Sequence, residues 1–160
     1  MMTRLATALT VCCLLAAPVA AQTRICTEIS GKLNELLLPQ SAAPNDPFGR
    51  ILGTVRGSLQ GATTAFLTSF VPSPNGDVQV KVNDTFSTDE GNLLYTQGSA
   101  YWTAVKPGFL QVNLTLAIAG GTGKYQSATG TIKVLGIGNN VAPGTGQFIQ
   151  EYRGTLCVSQ

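Results

Sequence analysis

Segments in which apolar and polar residues alternate, each ended by a turn sequence, fill the chain from Arg50 onward. In the segment from Asp77 to Phe86, valines alternate with polar side chains, and the segment from Phe109 to Ala119 repeats this pattern. A period of two is typical of a β-strand with one buried face, because successive side chains point to opposite sides. The predicted strands cover residues 50–60, 62–71, 77–86, 93–105, 109–119, 130–138 and 147–158. The pattern therefore predicts an all-β fold of about seven or eight strands, arranged as a barrel or a sandwich.

The segment from Thr27 to Leu38 precedes these strands and has a helical pattern. Four of its apolar residues would share one face of a helix: Ile29, Leu33, Leu36 and Leu37. Pro39 would end that helix, and residues 40–49 have the small and polar side chains of a linker. The sequence thus predicts an N-terminal segment with a short helix or turn and a linker over 22–49, followed by one all-β domain over 50–160.

Residues 1–21 have the three parts of a secretory signal. Arg4 supplies the positive charge, the apolar stretch from Leu5 to Pro18 follows, and small residues precede an expected cleavage site before Gln22. The stretch is shorter than the roughly 20 apolar residues of a membrane span. We therefore expect a secreted, extracellular protein, or a periplasmic one in a bacterial source, with no membrane span after cleavage.

Cleavage would leave two of the four cysteines, Cys26 and Cys157, near the two ends of the mature chain. Two cysteines in an oxidising compartment predict one disulfide bond. The alternative is a reactive thiol, which a neighbouring Lys or Arg would have to activate because the chain has no histidine. A disulfide between the ends favours a closed barrel, in which the first and last strands are neighbours.

Several classes of function are excluded by the charged residues and by the lack of histidine. The chain has 10 basic and 8 acidic side chains and no basic block, so we do not expect a nucleic acid as partner. Without histidine, catalysis by a Ser-His-Asp triad or a Cys-His pair is excluded. The commonest ligand of zinc and copper is also missing, so we expect no metal and no cofactor.

Four motifs follow one another along the chain. Gly53-Thr54-Val55-Arg56-Gly57 lies in the first predicted strand, and Asp89-Glu90-Gly91 lies in a turn. A glycine-rich segment comes next, Gly120-Gly121-Thr122-Gly123-Lys124-Tyr125-Gln126-Ser127-Ala128-Thr129-Gly130. Tyr152-Arg153-Gly154-Thr155-Leu156-Cys157 closes the series. Over residues 48–157 the series resembles the allene oxide cyclase-like barrel superfamily, which includes plant dirigent proteins.

This resemblance implies a small antiparallel barrel of eight strands rather than a sandwich. It also implies a cofactor-free protein that binds a small hydrophobic molecule and directs its cyclisation or its stereoselective coupling. Such a protein acts by positioning a reactive molecule, which lowers a barrier without a strong nucleophile. Related barrels form trimers, so the resemblance also implies that this chain could form a homo-oligomer.

Asp84 is the carboxylate that we single out, because it follows the alternating valines of its strand. If those valines face the interior, Asp84 does so by parity and could serve as a general acid or base; the alternative is a turn cap at the barrel rim. The candidate catalytic residues are Asp84, Tyr95, Tyr101 and Tyr152. The candidate ligand-binding residues are Trp102, Phe86 and Phe148. The aromatic residues could equally belong to a filled core.

Two asparagines, Asn83 and Asn113, lie in Asn-x-Thr sequons on the polar faces of their strands. In a eukaryotic source both could carry N-linked glycans. In a bacterial source the sequons carry little meaning.

Two hypotheses on function follow from these patterns. In the first, the barrel encloses a ligand cavity with inward polar groups and directs a reaction. In the second, it is a non-catalytic binding or structural protein, either a passive carrier or a barrel filled by its own side chains. A cavity of roughly a few hundred Å³ favours the first hypothesis, and a filled interior favours the second.

Overall fold

The computed structural model describes residues 23–38, 48–142 and 145–159. Eight strands follow one another in it: β1 (Arg24–Leu38), β2 (Arg50–Gly57), β3 (Gly61–Pro72), β4 (Val78–Thr88), β5 (Leu93–Lys106), β6 (Phe109–Gly121), β7 (Thr129–Ala142) and β8 (Thr145–Ser159). Each strand pairs antiparallel with the next, and β8 pairs with β1, so the sheet closes into a barrel. The predicted antiparallel barrel of eight strands is confirmed.

Two predicted segments fall on residues that the structure leaves undescribed. One is the secretory signal over 1–21, and the other is most of the linker over 40–49. Within the described ranges, no helix is long and apolar enough to cross a membrane.

The predicted helix or turn over 27–38 is wrong, because these residues belong to strand β1. The barrel therefore begins at Arg24, not at Arg50. Ile29, Leu33 and Leu37 are four residues apart, a spacing that fits a helix and also the inward face of a strand. Pairing decides between the two, since β1 has β8 on one edge and β2 on the other. Leu36, which completed the helical pattern, points outward and is exposed.

Cys26 and Cys157 are directly opposite each other in the pairing of β1 with β8. Their Cα atoms are 4.0 Å apart, and the two side chains form a disulfide bond. The predicted disulfide is confirmed. It links the first strand to the last at the seam where the barrel closes.

Alternation along the strands fills the barrel interior with apolar side chains, of which Val80, Ile132 and Val134 are fully buried. The end of the barrel where β1 begins is closed by residues from two connections. Leu59 comes from the link between β2 and β3, and Tyr125 and Ala128 come from the link between β6 and β7; all three are buried. The apolar core therefore continues to this end.

Candidate functional site

Five buried side chains in the described part of the chain are polar or charged. They are Glu35, Thr63, Asp84, Thr96 and Gln150. Each points into the barrel from a different strand, because each occupies an inward position of the alternating pattern. Strand pairing brings them together, since Asp84 lies opposite Thr96, and Gly53 lies opposite both Glu35 and Thr63. An otherwise apolar interior thus contains one polar cluster.

A small cavity lies among these side chains. Its volume is about 20 Å³, and Glu35, Asp84 and Gln150 contribute to its lining together with Thr63. The rest of the lining is apolar and includes the rings of Phe86 and Trp102. By the same measure a cavity needs about 10–15 Å³ to hold one water molecule. The cavity therefore accepts one group of that size, and the remaining interior is filled by side chains.

Two glycines make room for the inward polar side chains. Gly53 lies opposite Glu35, and a Cβ added there would lie 2.6 Å from the Glu35 Cγ atom. Gly136 lies opposite Gln150, and a Cβ there would lie 2.7 Å from the Gln150 Cγ atom. Real Cβ atoms do not approach other heavy atoms so closely. Backbone carbonyl oxygens of the neighbouring strands lie closer still, at 2.2 and 2.3 Å, so the two glycines allow both the close approach of the strands and the inward placement of Glu35 and Gln150.

Burial changes the acidity of both carboxyl groups. It raises the pKa of Glu35 from 4.5 to about 7, while the nearby Thr63 hydroxyl lowers this pKa by a smaller amount. Burial also raises the pKa of Asp84 well above 3.8, and the negative charge of Glu35 raises it further. The Thr96 hydroxyl lowers the pKa of Asp84, although its oxygen has no partner at normal hydrogen-bond geometry. At neutral pH Glu35 is near its midpoint, and burial favours the protonated form of Asp84.

Aromatic rings form one wall beside the polar cluster. Trp102 is buried, and its ring centroid lies 5.2 Å from that of Phe148. Phe70 meets Trp102 edge-on at 6.1 Å, after a register shift between Leu67 and Ser69. Phe70 is 38% exposed, so it lies between the buried rings and solvent. Trp102, Phe86 and Phe148 thus face the interior, and two of them, Trp102 and Phe86, line the cavity.

Tyr95 and Tyr101 do not belong to this interior site. They are 39% and 58% exposed, and Tyr101 accepts a hydrogen bond of 3.2 Å from the Gln79 side chain on the outer face. Alternation explains their placement: Thr96 and Trp102 face inward, so the residues directly before them face outward. The expectation that these two tyrosines line a cavity with Trp102 is therefore corrected.

Tyr152 faces inward but lies away from the cavity, at the closed end of the barrel. The Leu59 N–H donates to its hydroxyl at 2.8 Å, and the hydroxyl donates to the Leu59 carbonyl at 3.4 Å. Its ring covers Gly31, where an added Cβ would lie 2.6 Å from the ring. Burial raises the pKa of Tyr152. These contacts suit a residue that fixes the closed end rather than one that meets a ligand.

Replacing Tyr152 with phenylalanine is expected to lower the free energy of unfolding by about 1–3 kcal/mol. The change leaves the buried N–H of Leu59 without its partner, and an unsatisfied buried donor costs about this much. Urea denaturation followed by circular dichroism measures the loss. Tyr101→Phe is the matched control, because its hydroxyl is exposed and its loss should change stability by less than about 0.5 kcal/mol. Equal stability of Tyr152→Phe and the wild type would contradict this role.

The structure adds residues that the sequence interpretation did not single out. Asp84 lies inside the barrel, as parity with the valines allowed, and not at the rim. Gln150 lies between inward Phe148 and Tyr152, so the same parity could have identified it. Glu35 could not be found in this way because its segment was predicted as a helix. The sequon residues Asn83 and Asn113 are exposed on the outer face.

Comparison with known proteins gives a limited likeness. No family model matches the chain, and no curated protein matches it. Among solved structures, the chain is similar to the pterocarpan synthase dirigent protein GePTS1, with 16% identity and a TM-score of 0.33. The match covers 89% of this chain and 95% of that one. The chemistry of the candidate site is therefore inferred from its own residues.

Proposed function

We propose that this protein is an exported, cofactor-free barrel that binds a small hydrophobic molecule and directs its cyclisation or coupling. The observation that carries the proposal is the pair of buried carboxyl groups, Glu35 and Asp84, on one interior cavity. Burying a carboxyl group costs stability, and strongly shifted acids in a cavity are typical of functional sites. The disulfide suits an oxidising compartment and so supports export.

The two carboxyl groups suit the transfer or sharing of a proton. Asp84, whose burial favours the protonated form, would donate a hydrogen bond or a proton to an oxygen of the ligand, and Glu35, with a pKa of about 7, would accept one. The rings of Phe86 and Trp102 would hold the apolar part of the ligand and limit its conformations. Because the cavity holds only one small group, binding of a whole molecule requires the surrounding side chains to move.

Ligand binding can be tested with Trp102, the single tryptophan of the chain, which lies in the cavity wall. Small cyclic and aromatic molecules with different polar groups should change its fluorescence in a saturable way. Ala100→Val should abolish this change, because Ala100 is buried in the cavity lining. Ala117→Val is the matched control on the exposed face of β6. Binding that is unaffected by Ala100→Val would contradict an interior site.

Turnover of a bound molecule is expected to fall about 10²–10⁴-fold in Asp84→Asn and in Glu35→Gln, the range that general acid–base catalysis contributes. Products are separated by chiral chromatography, because cyclisation and coupling both create stereocentres. Glu151→Gln, on the exposed face of β8, is the control and should keep full turnover. Turnover that is unchanged in both interior variants would contradict the catalytic role.

The second candidate function is a non-catalytic barrel. The observation in its favour is the cavity volume of about 20 Å³, which is far below the roughly 300–1,000 Å³ of ordinary ligand pockets. Saturable binding without any product would identify a carrier. No binding at all would identify a structural protein.

A further inference from the structure

The polar groups around the cavity can accept hydrogen bonds but have no positive charge among them. The described residues that line it include two carboxyl groups, Glu35 and Asp84, and no Lys or Arg. None of the described Lys and Arg side chains is buried. Arg50, for example, lies over the Phe66 ring at 4.7 Å. When they ionise, the two carboxylates therefore have no cation beside them in the cavity from the described part of the chain.

Gln150 provides a second and independent sign of a missing donor. Its side chain lines the cavity and is only 5% exposed. The Gln150 Oε1 atom is buried and has no hydrogen-bond partner among the described residues. Buried polar atoms are rarely left unpaired, because each costs about 1–3 kcal/mol. The cavity thus presents an acceptor that a ligand with an N–H or O–H group would satisfy.

The size of the cavity and its aromatic lining limit which hydrogen-bond donors it can bind. A volume of about 20 Å³ admits one group as large as a water molecule, which describes a primary ammonium but not a trimethylammonium group. Trp102 and Phe86 line the cavity, and aromatic rings of this kind attract cations, tryptophan most strongly. An apolar lining of this kind suits an organic molecule better than a metal ion. Calcium, for example, prefers a shell of six or more oxygen ligands.

We propose that this cavity receives the protonated primary amine of a small hydrophobic molecule, with Glu35 and Asp84 balancing its charge and Gln150 accepting one of its N–H groups. The inference rests on the proposed function, since it names the ligand class of the same site.

Binding of such an amine has a defined proton balance. The amine remains protonated because ammonium groups of this type have a pKa of about 10. Where the carboxyl group that faces the ammonium is still protonated, it gives up its proton to solvent as the ammonium enters, so up to one proton is released for each amine bound. The described titratable side chains in the interior are Glu35, Asp84, Tyr125 and Tyr152, and the two tyrosines lie at the closed end. Affinity should therefore rise up to about tenfold per pH unit and level off once the carboxylates are ionised.

The experiment measures the affinity of the chain from Gln22 onward for three compounds by Trp102 fluorescence at several pH values. The compounds are cyclohexylmethylamine, cyclohexylmethanol and cyclohexylmethyl-trimethylammonium. We expect the primary amine to bind at least about tenfold more tightly than the alcohol at pH 8, since hydrogen bonds between charged groups are the stronger ones. The trimethylammonium compound should bind weakly. Glu35→Gln and Asp84→Asn should each reduce the preference for the amine, and exposed Glu151→Gln should keep it.

The outcomes separate this inference from the proposed function. Equal or tighter binding of the alcohol overturns the amine site and leaves a hydrophobic ligand site in place. Failure of all three compounds, and of the wider set of small molecules, overturns both. If calcium chloride changes the Trp102 fluorescence and calcium displaces the bound amine, the inference is overturned in favour of a metal site. Preference for the primary amine that increases with pH supports it, and this comparison needs no variant to fold.

Discussion

Replacing both Cys26 and Cys157 with alanine is expected to lower the free energy of unfolding by up to about 5 kcal/mol. The disulfide closes a loop with a sequence separation of 131 residues. In the chain-entropy model, a crosslink that closes a loop of that length lowers the entropy of the unfolded chain, and this stabilises the folded protein by about this amount. Urea denaturation of the double variant and of the oxidised wild type measures the difference.

The wild type treated with a reducing agent is the control for this experiment, because it loses the bond and keeps both side chains. It should unfold at the same urea concentration as the double variant. The pairing of β1 with β8 spans Arg24 to Leu37 and is independent of the disulfide, so the barrel should still close. A midpoint that is equal in the oxidised wild type and the double variant would contradict the expected stabilisation.

Stability is expected to fall as the pH rises from about 4.5 to about 7. The pKa of Glu35 is raised from 4.5 to about 7, so the folded protein keeps a proton in this range that the unfolded chain has lost. The folded protein has its full stability below pH 4.5 and loses it as the pH rises to the folded pKa. Integrated over the range, ionisation of buried Glu35 alone costs about 3 kcal/mol of stability. Asp84, whose pKa is raised well above 3.8, acts in the same direction.

Thermal unfolding at several pH values tests this dependence. Glu35→Gln should reduce the dependence of stability on pH between pH 4.5 and 7. The double variant Glu35→Gln/Asp84→Asn should reduce it further. Glu151→Gln, on the exposed outer face, should leave the slope unchanged. Exposed Glu90 has its pKa lowered by its bond to Lys124, and it therefore acts in the opposite direction and at lower pH. A wild type that gains stability up to pH 7 would show that the carboxyl groups are not buried as described.

Local alternation predicted most of the barrel from the sequence. The seven predicted strands from Arg50 onward correspond to β2 to β8, because each of them has an inward apolar face and ends in a turn. Strand β1 was missed since its inward apolar residues recur every four positions, a spacing that two kinds of structure share. Its identity as a strand depends on pairing with β2 and β8, which no local pattern contains.

The candidate site was predictable only in part, for a related reason. The position of Asp84 follows from parity within its own strand, and so does that of Trp102. The same rule, applied to Tyr101, excludes it from the interior that Trp102 faces. The approach of Glu35 to Asp84 depends on the register of several strands around the barrel, and this register is a property of the closed sheet.

The glycines opposite Glu35 and Gln150 make the interior volume a joint property of neighbouring strands. Where one residue of a cross-strand pair is glycine, the residue opposite can have a long polar side chain. A side chain at Gly53 or Gly136 would also meet the backbone of the neighbouring strand, 2.2 Å from the Asn34 carbonyl oxygen or 2.3 Å from that of Ile149, so a substitution would disturb the strand pairing together with the polar group. Proteins that share this site should be recognisable by paired glycine and polar positions on adjacent strands, and a contiguous sequence motif would not identify them.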